Sequence, residues 1–184
     1  MKTLIVVDMQ KDFIDGALGS EQAVQIVSNV KNKIEQYLKN GDNVFFTLDT
    51  HTADYMNTRE GKFLPVPHCI KGEKGWRIPK ELLTYEDGIE HDFQFIQKPS
   101  FGYTEWEKYI NEKTESVELC GLCTDICVVS NALIIKNAFP EMDIIVDASC
   151  CAGVTPESHD AAILTMKSCQ ILIENEGKEP WREK

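Results

Sequence analysis

Three things are scarce in this sequence, and each scarcity removes a class of function. Positive charge is short: 19 Lys and Arg stand against 30 Asp and Glu, a formal net charge of −11, and the acidic residues are scattered rather than gathered into a tail. The basic footprint that draws proteins onto phosphate polymers is missing, so no nucleic-acid partner is expected. Long apolar runs are missing too, since the opening TLIVV is stopped by Asp8, too early for a bilayer span or the core of a signal peptide. No membrane partner is expected, and the protein is read as cytosolic. Paired cysteine is the third absence. Seven cysteines cannot all pair within one chain, and in a reducing compartment they remain thiols. Most sit among apolar neighbours, as Cys120, Cys150 and Cys151 do, where free cysteine serves as a small core residue.

What is present is an alternation of strands and helices. With no internal repeat and no linker, residues 1–184 read as one domain, and an apolar content of 42% fills a single core. Short apolar runs at 3–8, 43–49, 93–98, 116–121, 143–147 and 170–174 read as strands. Between them, 20–41 carries Ala23, Val27, Val30, Ile34 and Leu38 at helical spacing, with Ser20 to cap its start and Gly41 its end. Further helices are expected at 125–138 and 156–168, the latter announced by Thr155-Pro156. Nearly unbroken apolar strands joined through helices indicate an α/β fold with a parallel sheet covered on both faces. The irregular stretch 50–90 is too long for a plain connection and reads as a binding loop or lid.

Chemistry gathers at the carboxyl ends of these strands, the edge where open α/β sheets bind ligands. Asp8, Asp49, Lys98 and Asp147 end four of them, and GLCTDICV, 121–128, follows a fifth. If Thr124 caps the helix that begins there, Cys127 falls at its third position, where unpaired amides and the helix dipole favour a thiolate. Lys98 would lower the thiol pKa further, Asp8 would accept the proton, and the turn amides would face an oxyanion. Reading Cys120, Cys123 and Cys127 as a metal site fails for want of a fourth ligand nearby. A mixed nitrogen and oxygen set in the long loop is better suited to a metal: Asp49, His51, Glu60 and His68, matching zinc, with iron or manganese as alternatives.

IVVDMQKDF, LDTH, PHC, QKPSFG and GLCTDICV occur in one order along nearly the whole chain. This series resembles the successive motifs of the isochorismatase-like cysteine hydrolases, and most closely their nicotinamidase/pyrazinamidase branch. The resemblance implies a three-layer α/β/α fold with a six-stranded, mostly parallel sheet in Rossmann-like order. It implies a triad of Asp8, Lys98 and Cys127, and a cis peptide at Leu122–Cys123. Asp49, His51 and His68 match the metal ligands, with Glu60 at the place of a further one. Phe13 and Phe101 match aromatic positions of the substrate pocket, with Leu122 and Cys123 beside them. The implied activity is hydrolysis of a small carboxamide, nicotinamide foremost, through a thioester, with one divalent ion and no partner beyond the substrate except, if any, further copies of the chain. A related N-carbamoyl or ureido amidohydrolase, or a redox-sensing or metal-binding protein without catalysis, remains the alternative.

Overall fold

The first strand is apolar throughout rather than alternating, and that decides its place. All five residues of β1, Thr3–Val7, are buried, as a strand at the centre of a sheet covered on both faces must be. The computed structural model describes residues 1–85, 91 and 93–182. In it, β1 is flanked by β2 (Asn43–Asp49) on one side and β4 (Ser116–Leu122) on the other, and both pairings are parallel. With β3 (Gln94–Lys98), β5 (Asp143–Ala152) and β6 (Leu172–Glu174) the sheet has the order β3-β2-β1-β4-β5-β6. All six strands are parallel, so the expected mostly parallel sheet is wholly so.

The helices follow the sequence cues closely. A short α1 (Lys11–Ile14) leads into α2 (Glu21–Lys39), where Ser20 accepts a hydrogen bond from the Ala23 amide and Gly41 takes a left-handed φ of 73° just past the end. The stretch after β2 is less irregular than expected: it contains a 3-10 turn at Tyr55–Asn57, α3 (Arg59–Phe63) and a second 3-10 turn at Lys80–Leu82, while its last residues, 86–90, lie outside the described ones. Thr155 begins α5 (Pro156–Ser168) through a reciprocal capping box with Ser158. Between β4 and β5 comes α4 (Val129–Ala138), entered through one π-helical turn. Because the chain steps outward from β1 in one direction and from β4 in the other, right-handed crossovers put α2 on one face and α4 and α5 on the other. No helix among the described residues is long and apolar enough to cross a membrane.

Strand β5 outruns its expected end at Asp147 by five residues. Its pairing with β4 jumps from Leu119↔Val146 to Gly121↔Cys151, an irregularity that lets the strand continue to Ala152. Asp147 therefore lies within the strand and not at its carboxyl end. It serves the fold: Lys33 Nζ on α2 stands 2.8 Å from Asp147 Oδ2 and 2.7 Å from Glu118 Oε1, and Tyr37 donates to Glu118 at 2.6 Å. Burial disfavours the Lys33 ammonium, but the two carboxylates more than offset it and hold Lys33 above the ordinary lysine range. Burial would raise Asp147, yet Lys33 and Ser149 keep it below the ordinary carboxyl range. Lys33→Met should leave two buried carboxylates unpaired and cost about 3–5 kcal/mol of unfolding free energy at pH 7, read by urea denaturation. Since Asp147 is more acidic folded than unfolded, its stabilisation is present above about pH 4 and is lost as the pH falls through the folded value. The gap between wild type and variant should therefore narrow in acid.

Candidate active site

The strand order reverses between β1 and β4, and the candidate residues meet at the carboxyl edge around that point. Asp8 follows β1 directly, fully buried, with a left-handed φ of 46° that bends the chain as it leaves the sheet. Thr47 of β2 holds it twice, accepting from the Asp8 amide at 3.1 Å and donating to Oδ1 at 2.6 Å. Lys98 ends β3 in direct register with Asp49, which ends β2. The Lys98 ammonium, with no exposed surface, lies 2.5 Å from Asp8 Oδ2, 3.5 Å from Cys127 Sγ, 3.8 Å from Asp49 Oδ1 and 3.0 Å from the Ser100 carbonyl, to which it donates. Asp8 Oδ2 is an ion-pair partner of Lys98 but takes no aligned hydrogen bond.

Cys127 is reached by a turn that differs from the expected cap. Thr124 does not cap the helix, since its hydroxyl is bonded at 2.8 Å to His159 Nδ1 on α5. Residues Thr124–Val128 instead form a π turn in which the Cys123 carbonyl accepts from the Ile126 and Val128 amides, each at 3.1 Å, passing over the amide of Cys127. The Leu122–Cys123 peptide is cis. Just before it, Gly121 has a φ of 117° and approaches β1 so closely that a Cβ would lie 2.2 Å from the Val7 carbonyl oxygen, so no other residue fits. From the other side of the turn, Asp125 accepts from the Val154 amide at 3.0 Å. Buried Asn131 donates to the Cys127 carbonyl at 2.8 Å and accepts from the Tyr103 amide at 2.9 Å.

Burial sets the protonation states. It raises the Asp8 carboxyl above its ordinary range against the pull of Lys98, and it pushes the Cys127 thiol well above the thiol range, with Asp8 adding to the push and Lys98 opposing it. Burial would strip Lys98 of its proton, but Asp8 and Asp49 together keep it a cation. Burial thus works against the thiolate expected from the sequence and favours a thiol beside a carboxylate that burial makes more basic. Lys98 is a single charge, and desolvation of a nearly enclosed sulfur outweighs it.

Asp49, His51 and His68 bring three ligand atoms within 4.8 Å of one another. His51 Nε2 is 2.9 Å and His68 Nε2 3.4 Å from Asp49 Oδ2, and Glu60 Oε1 on α3 lies 3.7 Å from both ring nitrogens. The loop is stitched so that the rings converge. His51 and Ile70 form a parallel bridge, Gln10 clasps the backbone of Asp49 at 2.7 and 2.9 Å, and Asp12 accepts from the Cys69 amide at 2.8 Å. His68 Nδ1 donates to the Val66 carbonyl at 2.8 Å, which turns Nε2 toward Asp49, where a divalent ion could take the place of its proton, the usual outer-shell device of a metal-binding imidazole. Burial would raise Asp49, but His51, His68 and Lys98 hold it well below the carboxyl range. The donor set fits a divalent ion such as zinc, iron or manganese.

Phe13 on α1 sets its ring edge against His68, with centroids 5.4 Å apart. Phe13, Leu64, Leu122, Cys123, Ile126 and Val154 line most of a cavity of about 400 Å³, and no charged residue lines it. Phe101 stands apart: its side chain is 45% exposed and does not line this cavity, while its carbonyl accepts from Asn131. Thr47, Asn131 and His159 were not legible as site residues, because each acts through contacts between distant segments, and Gln10, though inside the IVVDMQKDF motif, carries no chemistry that marks it as a clasp on Asp49.

Known proteins resemble the chain over most of its length. Residues 2–176 match the model of the isochorismatase domain. A Bacillus subtilis protein described as an uncharacterized isochorismatase family protein, PncA, is 30% identical over 171 residues, covering 88% of this chain and 92% of its own. The crystal structure of nicotinamidase/pyrazinamidase PncA from Bacillus subtilis superposes with a TM-score of 0.82 at 27% identity, covering 95% of this chain and 100% of that one. That of the pyrazinamidase of Pyrococcus horikoshii in complex with zinc does so with a TM-score of 0.76 at 25% identity, covering 94% and 97%. The chain belongs to the isochorismatase family, as an amide-bond hydrolase of its nicotinamidase-like branch.

Proposed function

We propose that the chain is a cysteine-dependent amidohydrolase that releases ammonia from a small uncharged carboxamide, nicotinamide being the first candidate. The observation that carries the reading is the buried Lys98 ammonium in contact with both Asp8 and Cys127, beside the Asp49, His51 and His68 set. Asp8, made basic by burial, takes the Cys127 proton as the sulfur attacks the carboxamide carbon. Lys98 remains charged throughout and offsets the negative charge that passes between sulfur and carboxylate. The backbone amides of the turn that carries Cys127 would face the developing oxyanion. Protonated Asp8 returns its proton to the departing nitrogen, ammonia leaves, and water taken up by the same carboxylate hydrolyses the thioester. Asp49, His51 and His68, with Glu60 beside them, would hold one divalent ion, zinc foremost, which supplies a Lewis-acid anchor for a ring nitrogen or a water and so positions the substrate.

The lining of the cavity favours carboxamides over N-carbamoyl amino acids. A wall of Phe13, Leu18, Leu64, Leu122, Ile126 and Val154 suits an aromatic ring and offers no cation to a substrate carboxylate. In a panel assayed for ammonia, nicotinamide or a related ring carboxamide should be cleaved, Cys127→Ala should abolish the release, and N-carbamoyl amino acids should be at least about 100-fold poorer in kcat/KM, the scale of one uncompensated buried charge. Preference for the carboxylate-bearing substrates would overturn the assignment.

Two further outcomes follow from the same site. Lys98→Met should keep the circular dichroism of the wild type yet lose at least about two orders of magnitude in turnover, and Lys98→Arg should fail as well, since a planar fork does not fit where a compact ammonium is enclosed. Elemental analysis should find about one divalent ion per purified chain and little in His51→Ala. Equal metal content in the two would make the loop histidines structural.

A further inference from the structure

The nucleophile turn is tied to a second buried hydroxyl, imidazole and carboxylate series that the chemistry above does not use. Thr124, His159 and Glu179 all lack exposed surface. Thr124 Oγ1 is 2.8 Å from His159 Nδ1, and His159 Nε2 is 3.2 Å from Glu179 Oε1. Glu179 Oε2 is taken by Arg182, which also binds Asp160 on α5. The ring of Trp181 stands edge-on to His159 with centroids 5.0 Å apart, and its Nε1 donates to the Cys151 carbonyl at 3.1 Å.

The direction of each hydrogen bond is determined. Burial, with Arg182, lowers the His159 pKa against the pull of Glu179 and favours the neutral ring, and Arg182 lowers Glu179 against burial and favours the carboxylate. A carboxylate only accepts, so His159 Nε2 carries the proton, Nδ1 is an acceptor, and Thr124 is the donor. The hydroxyl is thereby fixed in rotation and drawn away from the cap position it would otherwise occupy. Thr124 directly follows the residue whose carbonyl organises the turn, and three residues later comes Cys127, so the bond from Thr124 to α5 anchors the same turn that carries the sulfur.

We infer that Thr124, His159 and Glu179 form a positioning relay that holds the Cys127 turn in its reactive geometry from the segment at 179–182. None of the three touches the reacting atoms. In its effect on turnover the inference rests on the amidohydrolase reading, while its effect on the Cys127 thiol does not.

The test compares Thr124→Val, which removes only the hydroxyl hydrogen bond, with Thr124→Ser, which restores it, and His159→Leu with His159→Gln, whose neutral amide both accepts and donates. Thr124→Val and His159→Leu should lose at least about tenfold in kcat with KM within about twofold, because misplacement of reacting groups acts on the transition state more than on binding. Ser and Gln should recover most of that loss. Iodoacetamide labelling of Cys127, followed by peptide mapping, should slow at least about fivefold in the first pair and recover in the second, whatever the substrate proves to be. In a double-mutant cycle, Thr124→Val combined with Glu179→Gln should cost no more than the worse single change, as members of one chain do. If the apolar variants only melt earlier, with kcat and labelling within twofold of wild type, the relay is structural and the inference falls. Should Thr124→Val not fold, Glu179→Gln carries the same thresholds from the far end. A wild type inactive on every carboxamide would overturn the functional reading, and the labelling rates would then decide the relay alone.

Discussion

One enclosed ammonium holds the carboxyl edge of the sheet together. An isolated lysine charge without exposed surface would cost many kcal/mol and shed its proton. Lys98 keeps its charge because Asp8 and Asp49 both reach it. That requirement reaches back into the topology: Asp49 and Lys98 are register partners on β2 and β3, and Asp8 leaves the neighbouring β1, so only the order β3-β2-β1 brings both carboxylates to one cation. The fourth neighbour, β4, then delivers Cys127 to the same ammonium. Breaking any of these pairings would strand a charge in the core, and this binds the site to the fold more tightly than apolar packing alone would.

The same cation lets two carboxylates on one edge take opposite characters. Asp49 is surrounded by His51, His68 and Lys98, which hold its carboxyl well below the ordinary range. Asp8 has Lys98 and one threonine hydroxyl against complete burial, and its carboxyl is raised. A permanently ionised group suits a ligand, and a group poised nearer neutrality suits a proton carrier. The two residue types are identical, so the division of labour lies in their neighbours, and Lys98 is the neighbour they share.

Much of this was legible because it is local. The start of α5 is written in Thr155-Pro156, that of α2 in Ser20, and β2 ends at Asp49 as its apolar run does. The resemblance of five short motifs brought Asp8, Lys98, Cys127 and the loop ligands together, and they do converge in space. What was not legible depends on residues far apart in sequence. Thr124 has the chemistry of a cap, and only His159, 35 positions on, turns it aside. Asp147 looks like a strand end until the β5 irregularity carries the strand past it. Asn131 reads as an ordinary helix residue, yet it bonds the Cys127 carbonyl and the loop at Tyr103.

The protonation of Cys127 shows why such distant braces matter. A nucleophile at a well-formed helix start would draw its reactivity from the dipole and exist as a thiolate without substrate. Here the turn is of π type, and burial keeps the sulfur protonated, as it does for Cys120 and Cys151 in the core. On the proposed mechanism, reactivity comes from geometry at the moment of attack: a carboxylate made more basic by burial and an ammonium 3.5 Å from the sulfur. Geometry of that kind tolerates little drift. Hence the turn is fastened from three sides, by Thr124 to α5, by Asp125 to the chain after β5, and by Asn131 to the loop after β3.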